Sequence, residues 1–303
     1  MHVETGAEQL FFVTTLVRAT FADGSKAVGT AFVYVLGTNE GNVHLLVTNK
    51  HVLRDATDVV LQFTRSRNGE PALGEAVHAR FAPFNPATWF GHPAPTVDVG
   101  VMPLGPAINQ LIAAGNEPFY RALPESFVPD DATLKELDAL ERVIFIGYPA
   151  GLYDSANLTP IARQGLTATP IALDYRGLPA FLIDAAVIAG SSGSPVFLFD
   201  RGMIVDRRGN VTIGSRTYLL GVLAAVHTDE VEAEVAEAAD RLVARFRQAI
   251  GLGIVFKAST INECVDLVLA QHGLRRQPIE PASPPLEGEP QLTPADQEIA
   301  ETN

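Results

Sequence analysis

Between Leu10 and Phe63 the chain alternates short apolar runs with turn-forming clusters. FFVTTLVRATF gives way to Ala22-Asp23-Gly24-Ser25, GTAFVYVL to Gly37-Thr38-Asn39-Glu40-Gly41-Asn42, and VHLLVTN follows. Runs of this length, rich in β-branched and aromatic residues and bounded by Gly, Asn and Asp, read as strands joined by hairpins. Val59–Phe63 and Val77–Phe81 continue the pattern. Residues 105–142 read instead as a connection, with Pro118, Pro124 and Pro129 breaking it. A helix is predicted from Ala132 to Glu141, because Asp130 or Asp131 can accept from the free amides at its start. Strand-like runs resume at Val143 and recur at Ile161–Thr169, Phe181–Ile183, Pro195–Phe199, Tyr218–Val226 and Ile254–Lys257. A last amphipathic helix, Thr260 to about Gln271, would turn Ile261, Cys264, Val265 and Val268 inward.

One interval breaks the strand rhythm. From Thr228 to Ile250, Val231, Val235, Ala238, Leu242, Phe246 and Ile250 recur at helical spacing, acids cluster early and arginines late. Asp229 with Glu232 resembles a capping box and Gly251 can end a helix, so residues 228–250 are expected to form an inserted helix. It would serve as a solvated brace, or as a lid or docking element.

With 303 residues, 47% of them hydrophobic, the chain can bury a sizeable core. The single cysteine, Cys264, excludes an intramolecular disulfide and favours a reducing, cytoplasmic setting. It reads as a core residue. The N-terminal stretch has acids where a secretory signal has bases, and no run has the length of a membrane span. A net charge of −13 argues against partners with a phosphate backbone. No nucleic-acid and no membrane partner is expected. Residues 278–303 hold six prolines and six acids without a Lys or Arg, which reads as a disordered acidic tail.

The chemistry concentrates in Phe181–Phe197, FLIDAAVIAGSSGSPVF, where a Gly/Ser turn lies between two apolar runs. The glycines of Gly190-Ser191-Ser192-Gly193-Ser194-Pro195 let successive amides point into one small space, as an oxyanion hole requires. By itself such a turn is an ordinary surface feature. A serine nucleophile needs a base and a group that orients the base. His51 ends the run beginning at Val43, and Asp98 is flanked by Val97 and Val99, where a carboxylate is costly to bury without a partner. The order His51, Asp98, Ser192 is that of chymotrypsin-like enzymes, not of subtilisins or α/β-hydrolases. No HExxH, cysteine pair or Walker-type loop is present, so neither a metal nor a cofactor is expected.

T-N-K-H-V-L around His51, V-D-V-G-V around Asp98, I-G-Y-P at Ile146–Pro149 and D-A-A-V-I-A-G-S-S-G-S-P from Asp184 together resemble a bacterial trypsin-like serine protease. The nearest likeness is to the protease domain of the Htr group. Gly29-Thr30-Ala31-Phe32 is similar to the strand before the family's histidine, and Leu220–Ala224 to the strand lining its cleft. The resemblance covers roughly residues 8–272. It implies an all-β fold of two six-stranded antiparallel β-barrels, here with the inserted helix and the C-terminal helix. Residues 8–120 would form the first barrel, 121–142 the linker and 143–272 the second barrel. It also implies a triad of His51, Asp98 and Ser192, with the amides of Gly190 and Ser192 as the oxyanion hole. Ser191 stands where mammalian members carry an aspartate that binds a freshly cut N-terminus, and Ser194 where a second glycine is common.

The same resemblance puts the floor of the primary specificity pocket at Ala186, with walls from Val187, Ile188, Ala189, Leu223, Ala224, Ala225 and Val226. His227 lies next in line to contact substrate. No acid lies on that floor, so cleavage after small or medium apolar residues is expected. Of the other histidines, His44 reads as a strand residue and His78, His92 and His272 as solvated. Two functional classes follow: a serine endopeptidase acting on a protein or peptide, or a catalytically silent protease-like scaffold. A cytoplasmic protease without an N-terminal switch would need restricted substrates or an activating protein partner, as in bacterial defence or stress modules.

Overall fold

A computed structural model describes residues 2–237 and 240–279, and of residues 225–250 it describes the backbone. The seven strands β1 (Thr14–Phe21), β2 (Lys26–Thr38), β3 (Gly41–Thr48), β4 (Ala56–Arg67), β5 (Glu70–Phe81), β6 (Phe90–Gly91) and β7 (Gly100–Pro103) form one antiparallel sheet. Its order is β5-β4-β1-β2-β3-β7-β6. Two short strands in the following connection join it, β8 (Pro118–Phe119) against β4 and β9 (Leu123–Pro124) parallel to β2. The second sheet closes into a six-stranded barrel. It consists of β10 (Arg142–Gly147), β11 (Ile161–Thr167), β12 (Ala180–Asp184), β13 (Pro195–Val205), β14 (Val211–Glu237) and β15 (Asp240–Lys257), in the order β10-β11-β12-β15-β14-β13. A last strand, β16 (Arg276–Gln277), returns to pair with β2 at Gly37 and Thr38. The architecture is mostly β in two antiparallel sheets, as the alternation of runs and turns implied.

The apolar runs are continuous where a strand is covered on both faces. β2 is buried at every position from Gly29 to Thr38. Phe32, Tyr34 and Leu36 face a core between the two sheets, while Ala31 and Val33 face a core inside the first sheet. A third cluster, including Phe145, Phe181, Ile183 and Leu223, fills the barrel of the second sheet. The core between the sheets is closed by helix Ser259–His272, whose Ile261, Cys264, Val265 and Val268 are buried as the sequence led one to expect. Burying aliphatic side chains of this size stabilises by about 1.5–3 kcal/mol each before the entropy of ordering them is counted.

Three expectations need correction. The inserted helix at 228–250 is absent, and the interval is a hairpin in which β14 and β15 run on past the barrel. The same residues carry a second period. Val231, Ala233 and Val235 stand opposite Phe246, Ala244 and Leu242 in the register, and Glu230 and Glu232 opposite Arg247 and Arg245. Extending a ladder already formed in the barrel adds pairs without the costly nucleus that a new helix needs. Gly251, expected to stop a helix, has φ +81° and lies where the β14–β15 register shifts, as a bulge residue does. Secondly, the helix expected at 132–141 ends early, spanning Asp131–Glu136. Its cap is Asp130, which accepts from the Thr133 amide at 2.7 Å, and Leu137 then turns extended to enter the barrel core. Thirdly, the connection holds a helix the sequence reading did not foresee, Gly105–Ala113. The expected tail lies largely outside the described residues.

Candidate active site

Ser192 lies in the turn between Val187 and β13, and the first sheet holds that turn in place. The Thr30 amide of β2 donates to the Ser192 carbonyl at 2.9 Å. Its hydroxyl donates to the Gly190 carbonyl and accepts from the Tyr148 amide, both at 3.0 Å. Thr48 of β3 in turn donates to the Thr30 carbonyl at 2.6 Å. On the other side the Gly193 amide donates to Leu223 O at 2.7 Å and the Leu223 amide to Ser194 O at 2.9 Å. Gly190 and Gly193 both have φ +87°, a conformation that favours glycine. A Cβ on Gly190 would meet Tyr148 O and Ala150 N at 2.7 Å, and one on Gly193 would overlap Thr30 O. The sequence therefore needs glycine at both positions.

This packing separates the three serines. Ser191 and Ser194 are buried and their hydroxyls have no partner, whereas Ser192 is half-buried and reaches solvent. Among the described residues the amides of Gly190 and Ser192 donate to no protein acceptor. Two unpaired amides flanking a reachable hydroxyl form the donor pair that a developing oxyanion requires.

His51 sits in the one-turn helix Lys50–Leu53 that follows β3. Both oxygens of Asp98 engage it: Oδ1 accepts from the His51 amide at 3.0 Å, and Oδ2 makes a close contact with Nδ1. Bonding through Nδ1 leaves Nε2 as the nitrogen available to take a proton. Asp98 lies between buried Val97 and Val99 in the segment before β7. Its flanking residues anchor it in the core while the carboxylate stays partly open.

The residues before His51 grip the same segment. Asn49 Nδ2 donates to Asp98 O at 2.6 Å, and Lys50 Nζ donates to His92 O at 3.2 Å and to Ala94 O at 3.0 Å. Burial pushes the Lys50 ammonium below its usual pKa range, and the Asp98 charge acts in the opposite direction. His92, expected to be solvated, is 7% exposed. Its Nδ1 accepts from the Ala94 amide at 3.1 Å, so Nε2 is the donor to Glu263 of the last helix, at 2.9 Å. The sequence reading quoted T-N-K-H for its likeness and assigned Asn49 and Lys50 no work. A lysine inside an apolar run, adjacent to the candidate base, was the available signal. Thr30 gave no such signal, because its partners are 118 and 160 residues away.

Ser192 and His51 are not hydrogen-bonded to each other. The Ser192 hydroxyl donates to Ala224 O at 3.0 Å, on the strand that lines the expected cleft. Catalytic bonds in free enzymes are often unformed and tighten when substrate binds. Of the expected pocket residues, Ala186 and Ala189 are exposed, while Ala224 is buried beside the serine. Val187 and Leu223 do not stand on the surface: both are part of the barrel core, where a Cβ on Gly253 would meet them at 2.7 and 3.0 Å. Ile188, the next residue, is exposed. Ala225, Val226 and His227 continue β14 beyond Ala224. Among the described residues no group of three or more His, Cys, Asp or Glu side chains is placed to hold a metal ion. No helix among them is long and apolar enough to cross a membrane.

A serine beside two unpaired amides, and a histidine held by a carboxylate, set on two antiparallel sheets, define the serine-protease class of chymotrypsin-like architecture. Residues 29–205 match the family model described as a trypsin-like peptidase domain, and the chain belongs to that family. No curated protein matches the chain. Among solved structures it is similar to the HtrA-type protease AlgW, at 16% identity and a TM-score of 0.44 over 88% of this chain and 63% of that one. It is similar also to the active form of the Rv3671c protease of M. tuberculosis, at 17% identity and a TM-score of 0.39, covering 91% and 86%. A third is the thermostable serine protease AL20 of an extremophilic microorganism, at 14% identity and a TM-score of 0.46, covering 85% and 97%. The chain thus spans just under two thirds of the AlgW chain.

Proposed function

We propose that the chain is a serine endopeptidase that hydrolyses peptide bonds through an acyl-enzyme. Ser192 attacks the scissile carbonyl after its hydroxyl rotates from Ala224 O toward His51. His51 takes the proton and returns it to the leaving amine, and Asp98 fixes the ring and offsets its positive charge. The Gly190 and Ser192 amides receive the oxyanion. Water then releases the acyl group. The observation that carries this reading is the two-point hold of Asp98 on His51, together with a reachable Ser192 between unpaired amides.

Residues 8–120 and 143–272 are proposed as the two catalytic halves, joined by 121–142. A primary pocket formed by Ala186, Ile188, Ala189, Ala224, Ala225, Val226 and His227 would hold no acid and would favour cleavage after small or medium apolar residues. The single cysteine fits a reducing, cytoplasmic setting, and restricted substrates or an activating protein partner would restrain the enzyme in a bacterial defence or stress module. One observation favours the second reading, a silent protease-like scaffold: the Ser192 hydroxyl is bonded to Ala224 O and not to His51. Labelling by a fluorophosphonate tests both. Modification of Ser192 supports the peptidase, and a folded protein that resists labelling with and without candidate partners supports the scaffold.

A further inference from the structure

β13 and β14 run on past the barrel as a two-stranded hairpin, Asp200–Val205 against Val211–Arg216. One side of it is fastened to the body. Arg216 donates to Asp200 at 2.6 Å and to Glu141 at 3.3 Å, and Arg207 at the turn reaches the Lys135 carbonyl. Among the described residues, the other side has no such fastening. The register pairs Met203 with Ile213 and Val205 with Val211, which puts four aliphatic side chains side by side on one face. They are 72%, 87%, 54% and 59% exposed, respectively. Contiguous apolar surface of this kind on a fixed platform marks a docking site.

The turn sets the charge of the occupant. Asp206 is used up by the turn itself, accepting from the Arg208 and Asn210 amides at 2.8 Å. Arg207 and Arg208 are exposed; Arg208 is attracted by the Asp206 charge, and no ion pair joins Arg207 to a carboxylate among the described residues, in a chain of net charge −13. The face therefore suits an occupant that alternates aliphatic residues with acids. The chain contains such a segment. Residues 280–303 hold six acids and no base, and Leu286-Glu287-Gly288-Glu289-Pro290-Gln291-Leu292 sets two acids between leucines.

We propose that residues 286–299 dock on this face, with Leu286, Leu292 or Ile299 against the aliphatic patch and their acids near Arg207 and Arg208. β16 fixes the chain to β2 just before this segment. The 13 residues from 279 to 292 include four prolines and would act as a semi-rigid spacer of roughly 40 Å. A domain of this size has a radius of gyration of about 19 Å, so much of its surface is within reach. Tethering supplies an effective concentration in the millimolar range, so weak contacts suffice. A second copy docking by the same face would set arginine against arginine, and the net charge opposes an anionic bilayer.

The full chain carrying Leu292→benzoylphenylalanine tests this by photo-crosslinking and mass spectrometry, with heavy and light chains mixed to separate contacts within a copy from contacts between copies. The expected result is attachment within residues 203–213 of the same copy. Yield should fall at least fivefold in Met203→Ser/Ile213→Ser and in Arg207→Glu/Arg208→Glu. Attachment elsewhere, attachment between copies, or a yield indifferent to both variants would overturn the proposal. So would co-sedimentation of the full chain with phosphatidylserine vesicles that is lost in Met203→Ser/Ile213→Ser, because the face would then be a lipid site.

Discussion

Replacing Thr30 by valine keeps the shape of the side chain and removes one hydroxyl from the junction of the two sheets. The Gly190 carbonyl and the Tyr148 amide each lose the partner they have, at 3.0 Å in both cases. A buried polar group left unpaired costs about 1–3 kcal/mol, so a turn that stays in place loses roughly 2–6 kcal/mol of stability. If the turn swings away to find water, less stability is lost, but the Gly190 and Ser192 amides leave their positions. Losing one oxyanion donor costs about 10²–10³ in turnover. Urea midpoints and the rate of fluorophosphonate labelling per folded molecule, measured together, separate the two responses. Thr15→Val is the control, because Thr15 is as deeply buried and lies on the neighbouring strand opposite Ala31, yet donates to Gln62 O at 2.8 Å and not to the turn. It should lower the urea midpoint and leave labelling alone. A Thr30→Val protein that melts and labels like the parent would refute the clamp, and equal loss of labelling in Thr15→Val would show the effect to be general softening.

Ser192→Ala should abolish peptide hydrolysis while Ser191→Ala and Ser194→Ala retain it, and Asp98→Asn should lower kcat by about 10⁴ with the fold intact; chromogenic peptide turnover checks all four. Lys50→Met frees the His92 and Ala94 carbonyls and should lower kcat roughly ten- to a hundredfold through displacement of Asp98. The urea midpoint should move little, since the buried charge goes too; an unchanged kcat would count against the grip. Burial holds the His44 pKa below its ordinary value, so between the two values the unfolded chain binds a proton that the folded chain does not. Stability should therefore fall as pH drops below about 6.5, by at most about 1.4 kcal/mol per pH unit. Urea melts of His44→Gln from pH 8 to 5 should show a shallower decline than the parent, and parallel curves would be the contrary result. A peptide library read by mass spectrometry should show cleavage after Ala, Val or Leu, and dominance of Lys or Arg would overturn the pocket assignment.

The sheets were legible because β2 and β3 announce themselves as unbroken apolar runs between turn residues, and the last helix because its inward side chains keep one period. Thr228–Ile250 satisfies two periods at once, and no local rule ranks a new helix against a ladder that is already under way. The His51, Asp98 and Ser192 candidates could be named because their order and flanking motifs resemble a known family; locally, only Asp98 between two valines is odd without a partner. What supports them could not. Thr30 acts through backbone groups far along the chain, and Lys50 finds its carbonyl partners only in the segment that carries Asp98.

The core between the sheets carries an implication for biosynthesis. It takes Phe32 and Tyr34 from the start of the chain, Phe197 and Leu219 from its middle, and Ile261, Val265 and Val268 from the helix near the end of the described residues. A ribosome delivers Thr30 early, Ser192 much later, and that helix only after both. The surface on which the first sheet presses against the nucleophile turn is therefore incomplete while Ser259–His272 is still in the exit tunnel. A nascent chain would hold all three candidate catalytic side chains before it could align them, which delays any cutting until that helix has left the tunnel.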